Sequence, residues 1–144
     1  MTEKIIAKAA LINPNGEILV LRRSLTDPHS PGRVDFPGGG IEPGESPLDA
    51  VVREISEESG LTVEPTALHH VYEKTFEPDE DGQIVRRHLF VGRVASGDVT
   101  LSVEHDEAWW ALPDKALEDF ANSSWSEALK KAHEEGFLGN KSAA

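Results

Sequence analysis

Between Gly39 and Leu61 the chain reads GGIEPGESPLDAVVREISEESGL, and this stretch dictates a helix with one acidic edge. Ser46 is a good N-cap, Pro47 fits the first helical position, and Asp49 completes a capping-box-like pattern. Leu48, Val51, Val52 and Ile55 form an apolar stripe suited to docking on a sheet. Gly60 stops the helix as a left-handed cap. Residues three and four apart on a helix are neighbours, so Glu54, Glu57 and Glu58 converge beside Arg53. Three carboxylates that close repel one another, and a hard divalent cation resolves the conflict. Magnesium prefers carboxylate oxygens and leaves room for water and substrate phosphate. The plainer alternative is a solvated acidic face with an Arg53–Glu57 pair.

The spacing favours the metal. Gly39 is followed at fixed intervals by Glu45 and then by Arg53-Glu54-Ile55-Ser56-Glu57-Glu58-Ser59-Gly60-Leu61. This resembles the complete Nudix box, G-x5-E-x7-R-E-U-x-E-E-x-G-U, with Ile55 and Leu61 at the aliphatic positions. The resemblance implies an α/β fold, an α/β/α sandwich with a mixed sheet. It implies hydrolysis of a diphosphate linkage in a nucleoside diphosphate joined to some group X, by attack of water on phosphorus. Magnesium, with manganese as an alternative, is the implied cofactor. Glu54, Glu57 and Glu58 are then the metal ligands, with the Gly38 carbonyl as a further candidate. Arg53 holds a glutamate in place, and Glu45 shapes the loop or ligates through water. The general base is a box glutamate, Glu57 among them, or a carboxylate of Glu104-His105-Asp106-Glu107. That segment precedes Trp109-Trp110 and is similar to the family's downstream E-H-x-E-x-x-W run. Glu104 and Glu107 are both candidates, Glu107 being preferred. His105 is a candidate proton shuttle.

Composition restricts the partners. The chain has 144 residues, a size that suits one domain, expected over 1–139 with a loose tail at 140–144. It has no cysteine, which excludes disulfides and thiol catalysis. No apolar run approaches membrane-spanning length and no signal-peptide core is evident, so a cytoplasmic protein is expected, a monomer or homodimer. A net charge of −12 disfavours nucleic acid and acidic membranes as partners. A small nucleotide is the expected partner, with Arg22, Arg23 and Arg33 before the box and Arg86 and Arg87 after it as local phosphate-binding charge.

Along the chain, Ile5–Ile12 and Ile18–Arg22 read as strands joined by a turn with Asn15-Gly16. A loop at 24–32 leads to a short strand, Val34–Phe36, and the glycines. After the box helix, 63–76 alternates between strand and connection, 77–83 is an acidic turn, and Arg86–Val94 is a strand. A short strand at Val99–Val103 and a sheet pairing by Glu107–Ala111 are expected. Ser124-x-x-Glu127 reads as the cap of a last helix ending near Gly136, with Trp125 and Leu129 on its core face.

The substrate is less constrained. Leu19-Val20-Leu21-Arg22-Arg23 and Asp35-Phe36-Pro37-Gly38-Gly39 are similar to the nucleotide-sanitising, MutT-like branch, where the double arginine sits near phosphates. Asn122 occupies a place where that branch reads a purine edge; otherwise it is a helix-cap residue. Gly40 and Val34 depart from residues common there, lysine and tryptophan respectively. The expected activity is cleavage of a nucleoside triphosphate or related derivative. Alternatives are ADP-ribose, nucleotide sugars or dinucleoside polyphosphates as substrates, or a nucleotide-sensing module without catalysis.

Overall fold

A computed structural model describes residues 3–27 and 31–138 of the chain. Seven strands form one mixed sheet: β1 (Glu3–Ile12), β2 (Ile18–Arg23), β3 (Val34–Asp35), β4 (Gly38–Gly40), β5 (Leu68–Phe76), β6 (Ile84–Arg93) and β7 (His105–Ala111). The main path runs β3-β2-β1-β6-β5, with β4 paired to β1 and β7 paired to β2. β1 and β6 are parallel over ten residue pairs, and the other pairings are antiparallel. One helix, α1 (Pro47–Ser59), covers one face, and α2 (Pro113–Asp119) and α3 (Ser126–Glu134) cover the other. The expected sandwich is therefore the fold.

Strand periodicity explains how β1 serves both layers. Ala7, Ala9 and Leu11 pack with Val51 and Ile55 of α1. Ala10 and Ile12 face the opposite core with Phe120, Trp125 and Leu129. α1 has the anticipated ends: Ser46 accepts from the Asp49 amide at 3.0 Å, and Gly60 closes it at φ 75°.

Three expectations fail. Val99–Val103 forms no strand; the Thr100 amide donates to Ser59 O at 2.8 Å, tying this segment to the end of α1 instead of to a strand edge. Ser124 and Glu127 do not cap α3, whose N-cap is Trp125. Ser124 accepts from Arg87, and Glu127 accepts from Tyr72 and Lys74, so both are recruited by the sheet. α2 was not expected, and it matters: Phe120 at its C-terminus stacks on Phe36 with ring centroids 4.2 Å apart, and Trp125 meets Phe36 edge-on at 6.4 Å. These rings pin the start of the glycine segment to the second helical layer. The expected tail, 140–144, and part of the 24–32 loop lie outside the described residues.

Candidate active site

The glycine strand β4 is wedged between β1 and α1, and at Gly38 only glycine fits. Gly38 has φ 139°, and a Cβ on it would lie 2.2 Å from Ala7 O. A Cβ on Gly39 would lie 3.1 Å from a Glu54 carboxylate oxygen. The wedge lets backbone and carboxylates meet without side chains between them. The Gly38 amide donates to Glu58 Oε1 at 3.1 Å.

Glu58 is 4% exposed. Burial, and the Glu54 carboxyl hydrogen-bonded beside it, push its pKa well above the ordinary carboxylate range; Lys8 and the Gly38 N–H pull the other way. A buried carboxyl held against a part-buried one is stabilised by positive charge placed between them. The donors are all oxygen, which fits a hard cation such as magnesium. Glu57, on the outer edge of the helix, is more than half exposed.

Arg53 organises this edge. Its guanidinium grips Glu45 with two bonds, Nε to Oε2 at 2.8 Å and Nη2 to Oε1 at 3.0 Å, and reaches Glu54 at 3.1 Å and Glu57 at 3.3 Å through Nη1. Hydrogen bonding from Arg53 lowers Glu45 to about 2. Glu45 also accepts from the Glu42 amide at 2.9 Å, so it is a brace between loop and helix.

A cavity of about 380 Å³ opens in front of Glu54, Glu58 and β4. Five cations line it, Lys4, Lys8, Arg23, Arg33 and Arg87, together with Asp35, Glu104, Ser123, Ser124 and Trp125. An acidic chain thus keeps a local concentration of positive charge beside its carboxylates.

Asp35 anchors part of that charge. Lys8 Nζ lies 2.9 Å and Arg23 Nη1 2.9 Å from its carboxylate, and the Phe36 amide donates to it at 2.9 Å. Burial alone would raise the Asp35 pKa; the Lys8 charge and hydrogen bonds from His105 and Lys8 more than reverse this and hold it well below the usual range. Lys8 also donates to Phe36 O and Gly38 O, each at 3.3 Å. His105 is buried 3.4 Å from Asp35, away from open solvent.

The two arginines of β2 part company. Neighbours on a strand point to opposite faces. Arg23 lines the cavity, whereas Arg22 pairs with Glu107 at 2.6 Å and Asp106 at 3.6 Å. The structure therefore brings Glu104 to the cavity and leaves Glu107 engaged elsewhere. Arg33 is exposed at the rim. Asn122 is exposed on the turn before Ser123 and does not line the cavity. Arg87 lies over the Trp125 and Phe76 rings, 4.8 Å from each centroid, and donates to Ser124 Oγ at 2.8 Å. Burial lowers its pKa. Trp110 packs against the α1-side core and donates to Gly97 O at 3.1 Å.

Lys8, Asp35 and Trp125 had no site role in the sequence reading. The available signal was a lysine inside the otherwise apolar β1, and an aspartate directly ahead of Phe36-Pro37-Gly38.

The NUDIX domain family profile matches residues 3–131. The 8-oxo-dGTP diphosphatase of Escherichia coli K12 is 45% identical over 74 residues, a match spanning 51% of this chain and 56% of that protein. The CTP pyrophosphohydrolase of the same organism is 34% identical over 111 residues, covering 76% of this chain and 77% of the relative. The solved structure of a MutT protein from Methanosarcina mazei superposes with a TM-score of 0.73 at 30% identity, over 92% of this chain and 96% of the other. By the match to that family profile over most of its length and by its likeness to these relatives, the chain belongs to the Nudix hydrolase family and is MutT-like within it.

Proposed function

We propose that the chain is a magnesium-dependent pyrophosphohydrolase that cleaves a phosphoanhydride of a nucleoside triphosphate or related nucleoside diphosphate derivative. The observation that carries this reading is the cavity itself. It sets the buried Glu58, the part-buried Glu54 and β4 beside five cationic side chains, so metal-binding and phosphate-binding charge share one space. The relatives that act on 8-oxo-dGTP and CTP support a nucleotide substrate.

Glu54, Glu57 and Glu58, with the Gly38 carbonyl, would hold magnesium or manganese. When bound there, the ion supplies neutralisation of the phosphate charge and activation of the attacking water. Arg53 keeps Glu54 and Glu57 aimed while Glu45 fixes Arg53 in turn. Arg23 and Arg33 bind phosphate oxygens, and such positioning and electrostatics are most of what phosphoryl transfer requires. Glu104, exposed at the cavity, accepts the proton of the attacking water. Arg22 and Glu107 act together as a brace that holds β7, and hence the Glu104 turn, against β2. Asn122 stands one residue before the Ser123–Trp125 wall and is proposed to read the base edge.

The test is phosphate and pyrophosphate release with magnesium. The panel spans nucleoside triphosphates including oxidised ones, ADP-ribose, nucleotide sugars and dinucleoside polyphosphates. A nucleoside triphosphate hydrolysed well above the rest, with turnover lost in Glu57→Gln, supports the reading. Nucleotide binding without turnover of any of them overturns it in favour of a sensing module.

A further inference from the structure

On β5 and β6, away from the cavity, a second set of ligating groups converges. In a regular strand, residues 70 and 73 point to opposite faces. Here the register slips between His70 and Tyr72: His70 stands opposite Phe90, Tyr72 opposite Leu89 and Glu73 opposite His88. The extra residue in β5, Val71, resets the alternation and puts His70, Glu73 and His88 on one face. His70 Nε2 then lies 2.9 Å from His88 Nδ1, and Glu73 Oε1 lies 3.9 Å from the same nitrogen. One ligand atom from each of the three falls within 4.8 Å of the others.

We propose that His70, Glu73 and His88 form a site for a borderline transition cation of the zinc class, with the fourth position left to water. Ligand atoms ~2.0–2.1 Å from a tetrahedral zinc lie ~3.3 Å from one another, so the observed separations bracket the requirement. Binding needs only a slight opening of the His70–His88 contact and a tautomer shift that moves the shared proton to a far ring nitrogen. His88 is buried, while His70 and Glu73 are exposed, so the site has a fixed floor and an open entrance. The Phe90 ring meets His70 edge-on at 5.2 Å and makes that floor apolar. Glu73 is not locked elsewhere by a close pair: Arg86 Nε lies 3.9 Å from it, and Arg86 holds Glu3 at 2.9 Å.

Donor chemistry separates this site from the glutamate centre. Two imidazoles and one carboxylate favour zinc, nickel or copper, whereas the all-oxygen centre favours magnesium. None of the three residues lines the cavity.

The experiment is a zinc titration of the whole chain in saturating magnesium, followed by calorimetry and by the histidine ring protons in NMR. The expected result is one tight equivalent that shifts the His70 and His88 signals. His70→Ala, at an exposed position, weakens it by at least about tenfold, within the range seen for perturbing a metal's ligand shell. Its neighbour His69 stands opposite Val91 and packs at 6.0 Å on Phe137, so His69→Ala leaves binding unchanged. Glu54→Gln also leaves it unchanged. Zinc affinity that survives His70→Ala, or that disappears in Glu54→Gln, overturns the proposal and places the zinc in the glutamate centre or on scattered surface histidines. No zinc bound below millimolar concentration overturns it outright.

Discussion

Replacing Lys8 by methionine tests the buried network that supports the cavity. The Lys8 side chain is 9% exposed and that of Asp35 is 6% exposed. Methionine refills the space of the aliphatic stem, so the change is one of charge more than of packing. Removing one partner of a buried pair costs about 3–5 kcal/mol, because the other charge stays buried. Asp35 keeps Arg23 at 2.9 Å and the Phe36 amide at 2.9 Å, so the lower end, about 3 kcal/mol, is expected. At about 4 °C per kcal/mol for a chain of this size, the Tm falls by about 12 °C. Acid adds a second readout. The folded Asp35 pKa is depressed. Its contribution to stability is therefore present above the unfolded value, near ~3.9, and is lost as pH falls below it. Lys8→Met weakens that depression, so the stability gap between wild type and variant is widest at neutral pH and narrows below about pH 4. Urea unfolding followed by tryptophan fluorescence at pH 7, 5 and 3 measures both. A gap under about 1 kcal/mol at pH 7, or one that stays constant to pH 3, refutes the reasoning that Lys8 is what neutralises Asp35.

Other substitutions separate roles within the site. Glu57→Gln lowers kcat by about 10²-fold or more while leaving the Tm within about 1 °C, since Glu57 is half exposed; calorimetry and steady-state turnover check both. Arg53→Ala lowers kcat more than it raises KM, because it releases Glu45, Glu54 and Glu57 together; a change confined to KM contradicts the aiming role. Asn122→Ala narrows the ratio of kcat/KM between purine and pyrimidine substrates with little change in Tm, and an unaltered ratio removes it from base recognition.

The site was legible where its signals are local and opaque where they are tertiary. α1 could be delimited to the residue because Ser46, Pro47 and Gly60 act within one turn of their own positions. Gly38 could be placed because its close approach to β1 tolerates no side chain. Lys8 escaped notice because its partner Asp35 is 27 residues away, and nothing in β1 alone says that its polar end turns inward. The double arginine divides for a related reason: adjacency in sequence is opposition on a strand, so Arg23 lines the cavity while Arg22 faces Glu107. Sequence alone could not show that pairing of β7 with β2 puts Glu107 opposite Arg22 while Glu104 meets the cavity. α2 lacked a side-chain cap, having Leu112 at its N-cap, and is held by Phe120 and Ala116 in the core. Ser124 and Glu127 had the spacing of a cap, but neighbouring strands offered better partners.

Gly38 has a consequence for how the molecule fails on heating. Its N–H reaches Glu58 of α1, its C=O receives Lys8 of β1, and its strand is bonded along β1 in the middle of the sheet. Loops that carry active sites commonly open at a small fraction of the free energy of global unfolding. Here the segment that carries the site has no such freedom, since loosening it means parting the central strand from its helix. The carboxylates should therefore keep their arrangement until the whole sheet gives way, so that loss of activity and loss of structure share a single transition.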